Sequence, residues 1–110
     1  MELPEIITRL PEAELPLPSG TAKTNVLQSA QGQLVFYQTL KDGTMPAHSH
    51  KAEWGTVLEG QVDVTIAGET RAHRPGDSYY IPAGVVHSVK APAGTTFIVF
   101  FEEPDRYQLK

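Results

Sequence analysis

The sequence predicts an all-β domain. Three observations carry that prediction. Apolar residues come in short runs or alternate with polar ones, as along residues 61–67, where Val62, Val64 and Ile66 share one face and Asp63 and Thr65 the other. Turn signals punctuate the chain at Asp42-Gly43, Glu59-Gly60, Ala67-Gly68, Pro75-Gly76, Ala83-Gly84 and Ala93-Gly94. No long window carries the period of an amphipathic helix. Many short strands at near-regular spacing imply a sandwich or a barrel.

The elements follow in order. Residues 1–20 stand apart as a proline-rich arm, with Pro4, Pro11, Pro16 and Pro18 each preceded by a leucine. A residue before proline avoids the helical region, so the arm reads as extended and excludes a long helix or a central strand. Its leucines predict packing against an edge strand or against a second copy of the chain, and hence a homodimer. The competing reading is a frayed tail. Strands are expected at residues 33–40, 61–67, 78–81, 85–89 and 95–101. No internal repeat or low-complexity tract interrupts them.

Length and composition bound the function. A chain of 110 residues is a single domain with one modest core. A formal net charge of -4 with no basic cluster argues against nucleic acid and against anionic membrane surfaces. The absence of cysteine removes disulfides, thiolate metal sites and Cys nucleophiles. No cationic region followed by an apolar run opens the chain, and the longest apolar run, residues 97–101, is far short of a membrane span. The expectation is a cytoplasmic protein.

The histidines carry the chemistry. His48 and His50 lie two apart, so on a strand both imidazoles point to one face. Neutral imidazole is a common ligand for divalent transition metals, and carboxylate often joins it, which brings in Glu53. A third histidine, His87, follows a strand, a Pro82-Ala83-Gly84 turn and two valines. Two solvated histidines on a strand edge are the alternative for the pair.

These segments resemble the two motifs of the cupin superfamily. The first runs Gly43, four residues, His48-Ser49-His50, two residues, Glu53, six residues, Gly60. The second runs Gly76, five residues, Pro82-Ala83-Gly84, two residues, His87, three residues, Ala91. The resemblance covers residues 43–60 and 76–91. It departs from the family by one residue fewer between Gly43 and His48, by a short gap between His50 and Glu53, and by Ala91 in place of an asparagine.

The resemblance implies an antiparallel jelly-roll β-barrel with a metal inside, held by His48, His50, Glu53 and His87. Glu53 is the exposed part of that expectation. Alternation from His50 turns it outward, whereas counting back from Gly60 turns it inward. Both hold only if the backbone at Lys51-Ala52 leaves regular pleating. Otherwise Glu53 is a solvated carboxylate. His73 is read either as a group beside the cavity or, more commonly, as a surface or satisfied core residue. Phe36, Tyr37, Trp54, Tyr79 and Tyr80 shape a pocket or fill the core. Asp77 is read as a turn residue.

The implied function is that of a metal-dependent small-molecule enzyme of the mono-cupin type, with oxygenase, isomerase or cyclase-like chemistry. The alternative is a non-catalytic cupin that binds or senses a small ligand. The ligand set does not choose among Fe, Mn, Zn, Ni and Cu, and no catalytic residue is singled out.

Overall fold

Alternating inward and outward side chains build two antiparallel sheets around one core. The computed structural model describes residues 1–110. After a short helix α1 (Glu5–Thr8) come β1 (Ala22–Ser29), β2 (Gly32–Thr39), β3 (Gly43–His48), β4 (Glu53–Glu59), β5 (Val62–Ile66), β6 (Glu69–His73), β7 (Ser78–Ile81), β8 (His87–Ala91) and β9 (Thr96–Phe101). The first sheet has the order β1-β2-β9-β4-β7 and the second β3-β8-β5-β6. Every pairing is antiparallel. The non-sequential neighbours give the jelly-roll crossing expected from the motifs.

The inward faces read off the sequence. Val35, Tyr37 and the polar Gln33 and Thr39 are buried along β2, while Leu34, Phe36 and Gln38 face out and are only half-buried. Val57, Val62, Val64, Ile81, Phe97, Val99 and Phe101 join them in the core. Trp54 and Tyr80 do not. They sit at outward positions of β4 and β7, across from each other in register, and correct the expectation that most of the aromatics fill the core.

Strands β1, β3, β4 and β6 stand beyond the five runs expected from the sequence. β1 and β6 carry polar side chains at an edge, and β3 is broken by Pro46. The run expected at 85–89 begins later, at His87. Val85 still belongs to the preceding turn, where its N–H donates to the Pro82 carbonyl at 3.3 Å.

The arm is anchored rather than frayed, and its first part departs from the extended reading: α1 starts directly after Pro4, a position where a missing N–H costs a helix nothing. Val26 N–H on the free edge of β1 donates to the Pro11 carbonyl at 2.8 Å, and Ala13 N–H donates to Thr24 Oγ1 at 2.9 Å. Buried Asn25 donates to the carbonyls of Thr8 and Leu10. Ala13 also pairs with Leu109, so both ends of the chain meet beside β1. The edge-strand part of the expectation is met within one chain.

The hairpin joining β5 to β6 holds the one strained non-glycine residue. Ile66 pairs with Glu69, which leaves a two-residue loop of Ala67 (φ 50°) and Gly68 (φ 78°). Such loops favour Asn-Gly, because asparagine tolerates the left-handed region that alanine resists. Ala67→Asn is therefore expected to stabilise the fold by about 0.5–1 kcal/mol. Chemical denaturation midpoints of the two proteins check it, with a matched slope.

Candidate metal centre

Four chain segments converge at one end of the barrel. His48 is the last residue of β3, Glu53 the first of β4 and His87 the first of β8. His50 lies in the link between β3 and β4. The ligand atoms of His48, His50 and His87 lie within 4.8 Å of one another. Glu53 joins them through two contacts, with its Oε1 3.0 Å from His50 Nε2 and 3.0 Å from His87 Nε2.

The backbone explains how each side chain comes to face inward. The β3–β8 register slips between Met45 and His48, a bulge that contains Pro46, which has no N–H for the ladder. His48 and His87 end up directly opposite, with ring centroids 4.4 Å apart. His50 does not share a strand face with His48, contrary to the simple two-residue reading. Its segment is irregular and pinned from outside the motif. His50 carbonyl accepts from Gly84 N–H at 2.9 Å, Ala52 carbonyl from Glu102 N–H at 2.9 Å, and Lys51 N–H donates to Glu103 Oε1 at 2.7 Å. The departure from pleating at Lys51-Ala52 thus lets both His50 and Glu53 point inward. Glu53 is 4% exposed, which removes the solvated-carboxylate reading.

Each imidazole is oriented by its other nitrogen. Nδ1 of His48 faces the Pro46 carbonyl at 2.7 Å, that of His50 the Lys51 carbonyl at 2.6 Å, and that of His87 the Val85 carbonyl at 2.9 Å. A carbonyl accepts only, so Nδ1 carries the proton in all three rings. Nε2 then presents its lone pair to the centre, the tautomer that a metal ligand requires. His50 Nε2 and His87 Nε2 are buried and have no hydrogen-bond partner in spite of their closeness to Glu53. Two lone pairs and a carboxylate oxygen 3.0 Å apart repel one another unless a proton or a cation lies between them. The three histidines could hold a metal ion.

In the metal-free protein a proton takes the place of the cation, and the charges favour it. Burial alone would raise the Glu53 carboxyl, but the His50 and His87 imidazoles outweigh it and hold it at about 2. Burial pushes His87 down, while the Glu53 carboxylate and the Val85 carbonyl push it up, and the net direction is up. His48 goes down, chiefly by burial.

The centre opens on a cavity of about 70 Å³ with His48 and Glu53 in its wall. Tyr37, Tyr79, Phe97 and Val99 line it from the sheets, and Arg106 and Tyr107 close it from the segment after β9. Gly55 makes room for one of these rings: a Cβ there would collide with the Tyr79 phenol. Tyr37 O–H donates to Tyr107 Oη at 2.9 Å, and burial pushes both phenols up, so they stay protonated. Arg106 and Tyr107 were invisible to motif reading. The one hint was Gln33, a polar residue in an apolar run, whose amide binds the Tyr107 backbone in both directions. His73 stands apart from the cluster on β6, half-buried, with Nδ1 near the Val62 carbonyl and its ring 5.1 Å from Tyr79. Asp77 accepts from Arg74 N–H at 2.8 Å, as a turn residue does.

The cupin-domain family model matches residues 36–101, which contain both motifs and all four converging side chains. The chain belongs to the cupin family. Among curated proteins, this cupin is 35% identical over 74 residues to a mannose-1-phosphate guanylyltransferase of Salmonella muenchen, covering 64% of this chain and 16% of that protein. The chain thus spans about a sixth of that relative's length. Among solved structures, an RmlC-like cupin of Shewanella frigidimarina superposes with a TM-score of 0.72 at 24% identity, over 89% of this chain and 86% of that one. Oxalate decarboxylase of Bacillus subtilis, a protein with Mn(II) centres, superposes with a TM-score of 0.69 at 20% identity, over 90% of this chain and 29% of that one. At these identities the two structures bear on fold alone.

The shifts fix how the metal-free cupin responds to pH. Glu53 has a folded value below its unfolded one, so its contribution is present above about pH 4.5 and lost as pH falls through about 2. His87 has a raised value, so its contribution is complete below about pH 6.5 and lost as pH rises beyond it. His48, whose value goes down, opposes His87 at the upper limit, so the acid limb below about pH 4.5 dominates in metal-free protein, with Glu53 supplying on the order of 3 kcal/mol. Melting curves in chelator across the pH range check it, and the acid limb should flatten in Glu53→Gln.

Proposed function

We propose that this cupin holds one divalent transition metal through His48, His50, Glu53 and His87 and acts on a small molecule as a metal-dependent enzyme. The observation that carries the reading is the pair of buried, unpartnered Nε2 atoms on His50 and His87, both 3.0 Å from Glu53 Oε1. A bound divalent ion would supply Lewis acidity toward a ligand oxygen or, as Fe(II), a site for O₂. The chain's own residues do the rest. Carbonyls of Pro46, Lys51 and Val85 keep each Nε2 directed inward. The Glu53 carboxylate offsets one positive charge. The apolar wall limits water at the centre, and the Tyr107 hydroxyl, which accepts from Tyr37, keeps its own proton to donate.

Metal content and chelator competition test the reading. Protein purified without added metal or chelator should carry about one divalent ion per chain, and the His48/His50/His87 triple alanine variant none. Glu53→Gln keeps the shape and removes one negative charge. Its affinity should fall by at least the roughly 10–100-fold that loss of an outer-shell partner costs in metal sites. Because His87 must give up a proton to bind, wild-type affinity should rise with pH. Full occupancy in the triple variant would overturn the site. A loaded protein inert toward oxygen-bearing small molecules would favour a binding module over an enzyme.

We also propose a homodimer formed through the outer face of the five-stranded sheet. One cross-strand row on that face runs Leu27, Leu34, Phe100, Trp54, Tyr80, residue opposite residue. Leu27 is 55%, Trp54 43% and Tyr80 63% exposed. Five strands give the row a width of about 19 Å. With Phe36 and Ile98 two residues along, it offers an uncharged centre for the roughly 800 Å² per partner of a stable interface. A second copy is the occupant because a two-fold axis needs only one such patch, matched to itself. Sedimentation should give a dimer for the wild type and a monomer for Trp54→Glu. A monomeric wild type at micromolar concentration rejects the proposal.

A further inference from the structure

One charged side chain in the cavity wall has no partner. The Arg106 guanidinium carbon lies 4.5 Å from the Tyr107 ring centroid and 5.3 Å from that of Phe101. Its Nε is buried and hydrogen-bonds to nothing. None of the chain's ion pairs includes it. The one carboxylate in the cavity wall is Glu53, and Glu53 is committed to His50 and His87. Resting on two rings fixes the plane of the guanidinium and leaves its buried Nε–H without an acceptor, while the side chain as a whole is half-buried. A buried donor left so is costly unless an acceptor arrives.

The backbone holds this donor in place. Buried Gln33 donates to the Tyr107 carbonyl at 2.9 Å and accepts from Tyr107 N–H at 3.1 Å, so the residue next to Arg106 is tied to β2. Phe101 touches both the arginine and the cluster, with its ring 5.6 Å from that of His50. The guanidinium is therefore one aromatic ring away from the histidines, on a shared cavity.

We propose that Arg106 anchors the carboxylate of a small ligand whose second oxygen donor reaches the histidine centre. The guanidinium fork matches a planar carboxylate through two parallel hydrogen bonds. One cation balances one negative charge. A phosphate dianion would leave a second negative charge with no cation to meet it, since Arg106 is the one arginine or lysine in the wall. The short path past Phe101 limits the ligand to a few carbon atoms between its two oxygen groups. A 2-hydroxy or 2-oxo acid is the simplest molecule of that class. The metal reading is needed here only for the ligand's second donor.

Glycolate is a sufficient probe, with ethylene glycol as its uncharged counterpart and inorganic phosphate as the competing anion. Amide chemical shifts are followed during titration of metal-free and Zn(II)-loaded protein, wild type and Arg106→Gln. Glycolate should bind the wild type in both forms, more tightly than phosphate, and Arg106→Gln should weaken it about tenfold or more in each. Ethylene glycol should not distinguish the two proteins. Arg106→Lys, which keeps the charge and loses the fork, should also weaken glycolate, and it decides the matter should the glutamine variant not fold. Equal glycolate affinity in wild type and folded variant, no glycolate binding, or a preference for phosphate overturns the assignment. Zn(II) uptake is read separately and should be unchanged by Arg106→Gln. Should neither protein take up Zn(II), the metal reading falls, while the metal-free titration still decides the arginine's part.

Discussion

Glu53 Oε1 stands 3.0 Å from Nε2 of both His50 and His87, at a barrel end where all three side chains are nearly closed to solvent. Polar groups indoors need partners on every side, and this one contact leaves the far nitrogens of the rings still to be satisfied. A strand paired on both sides cannot supply that, because its carbonyls are taken up by the ladder. Free carbonyls exist where pairing fails. The three that accept from the rings, on Pro46, Lys51 and Val85, belong to a bulge, an irregular link and a tight turn. The irregularities of this barrel therefore lie where the imidazoles need them. Straightening any one would both rotate a ring and strand its Nδ1 proton.

The same constraint explains why the centre sits where the sheets meet. His48 and His87 come from the four-stranded sheet and Glu53 from the five-stranded one, with His50 on the crossing between them. Drawing a carboxylate from one layer toward imidazoles of the other ties the layers at their open end. The link is held by Gly84 of the second motif and by Glu102 and Glu103 after β9. A change in that outer loop therefore reaches His50 through the backbone, without touching the imidazole. Such a set also resists partial loss. Removing one ring leaves the buried carboxylate under-compensated, which costs more than the contact itself contributes.

Much of this was legible in the sequence, and for identifiable reasons. Alternation in β2 and β5 marks buried faces directly, because the strand period is fixed by the pleat. The motif spacings pointed to His48, His50, Glu53 and His87 before any coordinates. The inward turn of Glu53 was legible only as a conflict between two ways of counting, and the pinned link at Lys51-Ala52 resolves it. Polar edge strands such as β6 carry no apolar signature, since one face looks at water and the edge at nothing. Trp54 and Tyr80 misled because large aromatics suggest a core, whereas alternation from Glu53 and Ile81 already turned them outward. Arg106 and Tyr107 had no local signal at all. Their place depends on Gln33, some 70 residues earlier, and one sequence does not reveal that pairing.

The two ends of the chain complete the cavity, and this links the arm to the chemistry. Glu14 N–H donates to the Gln108 carbonyl at 2.8 Å and Lys110 N–H to the Glu12 carbonyl at 2.9 Å, around the Ala13–Leu109 bridge. That short ribbon lies next to the residues that present Arg106 and Tyr107 to the cavity, and Leu17 from the arm lines the same space. The arm's prolines suit the role. They keep it out of regular pairing, since none offers an N–H group that a second strand could capture. The arm thus closes the β1 edge and braces the C-terminal wall at once. The histidine cluster depends on strand irregularities near the motifs, whereas the C-terminal wall of the cavity depends on pairing between the two termini. The two halves of the cavity meet at residues 101–103, where the C-terminal segment both packs on the His50 ring and pins the backbone beside it.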